Sequence, residues 1–368
     1  MSFDASALAN RTASRLRAYD PGHDLPALRV RFGEQLAELG SNETVLGPSP
    51  HALAAITDAL PDVLRYPDPH GGALKRALAE KWRVETSQIA LGNGSHELLM
   101  LLAQCFADST TSVVFSEFGF AVFPIAAAAA GAIAVSVNAL PGDHATAPYG
   151  HHLDALAAAI RVDTRIVYLA NPNNPTGTWF DDDALDRFFD HVPVSTLVVV
   201  DEAYQEFVDA PGVSSAARLL ERHPNLVITR TFSKAYALAG LRIGYLLADP
   251  GVVAVLERLR ESFNVNSLAQ TAALAVLGDS AHLRKVCEWT RSERDWLDHE
   301  LESRGYRTLP SQTNFLLVDL GEDAARFEQH LFDRGVIVRP MAGYGLGECV
   351  RISIGTRSEN ERLLAALP

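Results

Sequence analysis

At 368 residues the chain is long for one small core, which predicts a large domain with a smaller one beside it. Its formal net charge of -13 argues against non-specific binding to nucleic acid or an anionic membrane, since both require basic surface, and leaves small anions held by local arginines. The 3 cysteines, Cys105, Cys287 and Cys349, are odd in number, far apart and without metal-ligand spacing, so they read as packing thiols in a reducing compartment.

Taken in order, the first residues, Met1 to Tyr19, mix charges with alanine and hold no continuous apolar run, so no targeting segment is expected and the cytoplasm is the expected location. Residues 1–44 are arginine-rich and weakly patterned, an arm that needs a packing partner to be ordered. Pro48, Pro50, Pro61, Pro67 and Pro69 punctuate a short helix, and Gly72 to Arg83 carries a helical pattern. The longest apolar stretch, Ala121 to Val137, is broken by Pro124 and Gly131 and reads as a buried helix and a strand rather than a membrane span. Runs rich in Val, Ile and Leu at 88–92, 112–116, 133–137, 165–170, 196–201, 226–230 and 243–248 alternate with helical segments. That pattern predicts an α/β unit with a mostly parallel seven-stranded sheet between helices. After Asp249 the chain predicts a helix over 252–262, a break at Asn264-Val265-Asn266, and helix to about 303. Strands at 313–320, 336–339 and 349–354, with a helix ending at 334, complete a smaller α+β unit. The expected division is an arm at 1–44, which packs with the small unit, a large domain at 45–265 and a small domain at 266–368.

Ligands of such sheets bind outside the carboxyl ends of the strands, and those ends carry unusual residues. The first run leads into Gly92-Asn93-Gly94-Ser95-His96-Glu97, where glycine permits close backbone approach and a helix N-terminus favours an anion. Glu97 occupies the place of the third glycine of a dinucleotide fingerprint. The fourth run ends in Asn171-Pro172-Asn173-Asn174-Pro175-Thr176-Gly177, and the fifth in Asp201, whose burial is costly unless a cation or donor meets it. The sixth leads to Thr231-Phe232-Ser233-Lys234. Only Lys75, Lys81, Lys234 and Lys285 occur in the chain, and Lys234 alone has no charged residue within three positions, so it can be desolvated and serve as a neutral nucleophile. A capping Asp, a turn Asn or a snorkelling Lys is the ordinary reading of each taken singly. Their convergence on one sheet edge predicts a ligand site.

With these motifs the sequence resembles the fold-type I pyridoxal-phosphate aminotransferases, and within them the subfamily acting on histidinol phosphate. The resemblance rests on Ser41-Asn42-Glu43 with Gly47-Pro48-Ser49-Pro50, Arg65-Tyr66-Pro67-Asp68, Asn171 to Gly177, Asp201-Glu202-Ala203-Tyr204, Arg230 to Gly244 and Val350-Arg351-Ile352-Ser353-Ile354-Gly355, with Tyr19 matching in the arm. It implies pyridoxal 5'-phosphate as cofactor. Lys234 is then the residue that bonds the cofactor and moves the substrate proton, and Asp201 holds the pyridine nitrogen protonated. Tyr204 and Asn174 hydrogen-bond the phenolic oxygen, and Phe120, rather than Phe118, stacks on the ring. Gly94, Ser95, His96, Thr231, Ser233 and Arg242 are implied at the phosphate, with Tyr66 reaching it from the partner of a homodimer. Arg351 is implied at the substrate carboxylate, with Tyr19, Asn42, Asn174 and Arg339 as further substrate contacts.

The implied reaction exchanges an amino group between L-glutamate and the keto acceptor imidazole-acetol phosphate. Thr44-Val45 replaces the subfamily's usual Asn-Pro, and His96 stands where Asp or Asn is commoner. Aromatic amino-acid transamination and phosphothreonine decarboxylation on the same scaffold therefore stay open at this point.

Overall fold

A computed structural model of the chain describes residues 3, 5, 8, 9, 12–15 and 22–368. Tyr19 lies outside the described residues.

The large unit is built on a seven-stranded sheet. Gly244–Ala248 lies between Ile89–Gly92 and Leu226–Thr231, and beyond the latter come Leu197–Asp201, Thr164–Ala170, Ser112–Ser116 and, at the edge, Ile133–Val137. Gly244–Ala248 is antiparallel to both neighbours, while every other pairing is parallel. Successive side chains of a strand point to opposite faces. Leu169, Val200, Ile228 and Leu247 accordingly enter one apolar core, and Tyr168, Val199, Val227 and Leu246 the other. Burial on both faces is why the inner runs are continuously apolar instead of alternating, whereas the edge strand Ile133–Val137 is largely exposed. Helices Ser95–Phe106 and Val122–Ala129 cover one face; Pro50–Ala59 and Ser267–Leu277 contribute Ala52, Ala269, Ala272 and Ala273 to the other.

A second core is formed by a four-stranded antiparallel sheet in the order Arg339–Pro340, Cys349–Ser353, Phe315–Asp319 and Arg307–Thr308. Leu297 and Leu301, from helix Ser280–Glu302, pack into it. Ala37–Glu38 joins this unit by parallel pairing with Val336–Ile337, and Leu39 is buried in the same core.

Two helices differ from expectation. The first stops at Leu256 instead of 262. Beyond it the Arg260 guanidinium donates to Pro69 O at 3.1 Å and to Asn264 Oδ1 at 2.7 Å, and Phe263 adopts φ 61°. These side-chain bonds to a remote turn divert a segment whose local pattern is helical. The second forms two helices, Ser267–Leu277 and Ser280–Glu302, because Asp279 caps the latter by accepting the His282 N–H at 3.1 Å.

Behind the carboxyl ends of the central strands lies a buried ion cluster. Arg230 donates to Glu202 Oε2 at 2.6 Å and also to Glu206, while Glu202 accepts from Ser215 Oγ at 2.7 Å and Ala216 N at 2.6 Å. The bonds tie the segment after Asp201 to the strand that leads to Lys234.

Candidate active site

At the carboxyl edge of the large sheet, where the second core leans on it, lies a cavity of about 190 Å³ with Lys234 and Asp201 in its wall. Lys234 is half-buried there. Its Nζ donates to Asn42 O at 3.0 Å and Ser41 O at 3.4 Å, lies 5.6 Å from the centre of the Tyr204 ring, and its own carbonyl accepts from Thr44 Oγ1 at 2.6 Å. Burial, with Arg351 and Arg242 adding to it against Glu43 and Glu38, draws the amine down to about 7. A neutral amine is thereby available near neutral pH, which arginine at this position could not supply.

Asp201 closes the strand Leu197–Asp201 and is buried. Thr229, its register partner on the adjacent strand, donates to Oδ1 at 2.8 Å. Burial outweighs that bond and pushes the carboxyl up to about 7, with Glu202 adding to the rise and Arg230 and Lys234 opposing it. A cationic ring nitrogen is a partner suited to such a buried carboxylate. Tyr204, also buried, accepts from Asn42 Nδ2 at 3.1 Å and sets its ring edge-on to Phe315 at 5.3 Å; burial raises its pKa.

Opposite Asp201 the wall is made of donors. Gly94, at φ 85°, is the N-cap of helix Ser95–Phe106, and a Cβ there would fall 2.5 Å from Arg242 Nη2. A Cβ on Gly244 would lie 2.6 Å from Ser95 N. The two glycines let strand, helix start and guanidinium close to contact distance. Arg242 donates to Ser233 Oγ at 3.4 Å and Ala239 O at 3.1 Å, and with Ser95, His96, Thr231 and Ser233 it lines the cavity. Burial and Arg242 keep His96 below its ordinary pKa. The N–H groups of a helix start beside a guanidinium form a site for a phosphate dianion.

At the mouth, Arg351 is buried and forked between Asn174 Oδ1 and Gly40 O, each at 2.7 Å, with its guanidinium 5.4 Å from the Phe315 ring. Asn171 and Asn173 spend their side chains on the turn itself, bonding Phe180 and Phe118 backbone, whereas Asn174 is turned into the cavity. Anion cup, carboxylate, lysine and a second arginine fit a flat, phosphorylated aromatic cofactor with a basic ring nitrogen, and an acidic substrate beside it.

Residues 34–367 match the family described as aminotransferase class I and II. The chain belongs to the class I and II aminotransferases. It is 46% identical to histidinol-phosphate aminotransferase 2 of Pseudomonas aeruginosa, over 99% of this chain and 98% of that one. The like-named protein of Pseudomonas fluorescens is also 46% identical, over 100% and 98%. Among solved structures, histidinol-phosphate aminotransferase from Sinorhizobium meliloti in complex with pyridoxal-5'-phosphate superposes with a TM-score of 0.87 at 33% identity, covering 98% of this chain and 96% of that one.

In this aminotransferase most of the expected site residues meet in one cavity. Phe120 lines it, while Phe118 packs edge-on against Tyr149 at 5.4 Å. Two expected residues stand apart from it. Tyr66 is 82% exposed and stacked on Phe263 at 4.7 Å. Arg339 lines a neighbouring recess of about 50 Å³ with Glu38 and Ser41. Sequence reasoning missed Thr229, which only strand pairing places on Asp201. It also missed Ser353 and Asn314, which fix Asn42: Ser353 Oγ accepts Asn42 N at 2.8 Å and donates to Asn42 Oδ1 at 3.0 Å, and Asn314 Nδ2 donates to Asn42 O at 3.1 Å. Ser353 stands two positions after Arg351 in Val350-Arg351-Ile352-Ser353, and that closeness is its one signal in the sequence.

Proposed function

We propose that this aminotransferase moves an amino group between L-glutamate/2-oxoglutarate and histidinol phosphate/imidazole-acetol phosphate, a step of histidine biosynthesis, using pyridoxal 5'-phosphate. The observation that carries this reading is the gathering of Lys234, Asp201, Arg242 and Arg351 around one cavity in a chain 46% identical to a histidinol-phosphate aminotransferase. When bound, the cofactor supplies the electron sink that makes the substrate Cα–H acidic. Everything else is the work of the chain's own backbone and side-chain groups. Asp201 keeps a negative charge against the ring nitrogen. Gly94, Ser95, His96, Thr231, Ser233 and Arg242 hold the phosphate, Phe120 lies along the ring, and Tyr204 and Asn174 donate to its phenolic oxygen. Lys234, near neutrality, takes the substrate Cα proton, and its perch on the Ser41 and Asn42 carbonyls keeps the amine in reach to hold that proton and give it back. Arg351 pairs with the α-carboxylate of glutamate and with the phosphate of the second substrate, and Asn174 and Gly40 set its fork in advance.

Steady-state assays with a panel of amino donors test the substrate. Histidinol phosphate with 2-oxoglutarate is expected to give kcat/KM at least 100-fold above phenylalanine, tyrosine or aspartate, a ratio of the size that buried polar recognition delivers. Preferential turnover of phenylalanine, or release of carbon dioxide from phosphothreonine, would overturn the assignment.

The working unit in this reading is a homodimer. Helices Pro50–Ala59 and Ser267–Leu277 pack together, and with the turn Leu60–Leu64 they leave Leu53, Leu60, Val63, Leu64 and Leu274 exposed, next to the Tyr66–Phe263 stack. Such apolar exposure marks an interaction surface, and it leaves Tyr66 free to reach a partner's phosphate. Leu64→Glu is expected to produce monomers in sedimentation and to lower kcat/KM about 10-fold, the effect of losing one phosphate contact. A fully active monomer argues against the shared site. Free, widely separated thiols suit the cytoplasm. The large unit extends, in this reading, through helix Ser267–Leu277, whose apolar side belongs to the large-sheet core.

A further inference from the structure

Residues 38–44 pass between the two cores and touch the lysine, the tyrosine and the mouth arginine of the site. Two of their anchors are robust. Leu39 N donates to Ile337 O at 2.7 Å and its carbonyl accepts Ser353 N at 2.7 Å. Asn42 sits at φ 55°, a left-handed conformation that asparagine tolerates and that Ser353, Asn314 and Tyr204 fix. Between these anchors lie Gly40 and Ser41, whose carbonyls accept from Arg351 at 2.7 Å and from Lys234 at 3.4 Å. Among the described residues, the Gly40 N–H and the Ser41 hydroxyl share one acceptor, Glu38 Oε1, at 3.0 Å each. The carboxylate curls tightly under this backbone. A Cβ on Gly40 would stand 3.2 Å from Glu38 Oε1 and 3.5 Å from the Val338 carbonyl carbon.

Glu38 itself is half-buried in the recess beside His23 and Arg339, and Ser41 lines both that recess and the catalytic cavity. Burial raises the Glu38 pKa and Glu43 adds to the rise; the bonds from Gly40 and Ser41 and the charge of Arg351 oppose it. Nothing in transamination calls for this carboxylate to touch substrate or cofactor. Its bonds run to the backbone whose carbonyls accept from the two side chains that do, Arg351 and Lys234.

We infer that Glu38 is a positioning residue: by clamping Gly40 and Ser41 it sets the Arg351 fork for an acidic substrate and the perch of Lys234. The substrate half of this inference rests on the proposed function; the Lys234 half does not. Losing the clamp frees two carbonyls to rotate, so both cations lose a fixed acceptor, while the phosphate cup, built on other segments, is left as it is.

The test compares Glu38→Ala and Glu38→Gln with the natural protein. Binding of succinate, a non-reacting dicarboxylate, to the holoenzyme reads Arg351. The rate at which an amine-specific reagent labels Lys234 relative to Lys75, Lys81 and Lys285 in the cofactor-free protein, mapped by mass spectrometry, reads the perch. Glu38→Ala is expected to weaken succinate binding about 10-fold and to change the Lys234 labelling ratio at least ~3-fold, with cofactor Kd moving less than about twofold. Glu38→Gln, whose amide oxygen still accepts both bonds, is expected to restore succinate binding to within about threefold. A folded Glu38→Ala protein with both succinate Kd and labelling ratio within twofold of natural overturns the inference. So does a parallel loss of cofactor and succinate affinity, which marks general structural support. Labelling needs no substrate, so a natural protein without transaminase activity counts against the proposed function while the labelling ratio still judges the clamp.

Discussion

Lys234→Ala is expected to lower amino-group transfer by roughly 10⁴-fold or more, because in the proposed mechanism it removes the covalent anchor of the cofactor and the base that moves the proton in one step. Cofactor affinity should fall far less, since Arg242, Ser233, Thr231 and the start of helix Ser95–Phe106 remain as an anion site. Exogenous methylamine, a small amine that fits the space left by the side chain, is expected to restore part of the rate. The charge state of Lys234 has its own signature. In the cofactor-free protein its amine is drawn down to about 7 from 10.5, so its modification by an electrophile should rise with pH through a midpoint near 7. Lys285 and Lys75, outside the cavity, serve as references in the same digest. A Lys234→Ala protein retaining more than a tenth of the natural rate would show that the lysine does not carry the reaction.

Asp201→Asn is the second large effect. The amide keeps the shape of the carboxylate and can still accept the Thr229 hydroxyl proton, so fold and strand register should survive. What disappears is the buried negative charge that the proposed mechanism sets against a ring nitrogen. Losing such an electrostatic contact with the reacting system is expected to lower kcat by roughly 10²- to 10³-fold. The measurement is kcat in the half-reaction with glutamate, taken with the absorbance spectrum of the bound cofactor. A natural kcat in Asp201→Asn would mean that the strand-end carboxylate is there for the fold. Thr229→Val, which leaves Asp201 without its donor, should act in the same direction and more weakly.

The parts of this molecule that are legible in its sequence are those whose cause is local. A strand buried on both faces must be apolar throughout, so the runs leading to Asp201 and Thr231 stand out, and a charged residue closing such a run is conspicuous. Lys234 is legible because its neighbours carry no charge. The pieces that decide geometry are contacts between distant segments: Lys234 with Asn42 across 192 positions, Arg351 with Asn174 across 177, and Thr229 with Asp201 through strand pairing. No local pattern encodes these. The same holds for the helix that ends at Leu256, where Arg260 trades an amphipathic continuation for bonds to Pro69 and Asn264. Glu38 is the extreme case, since a glutamate closing a two-residue strand has no sequence signature at all and shows itself only by what its oxygen holds.

Of the four lysines, Lys234 is the one expected to carry the cofactor. Borohydride reduction of the protein loaded with pyridoxal 5'-phosphate, followed by digestion and peptide mapping, tests it without any choice of substrate. The phosphopyridoxyl mass should appear on the peptide containing Lys234, at close to one per chain. A label on Lys75, Lys81 or Lys285 instead, or no label on a protein that has bound the cofactor, would contradict it.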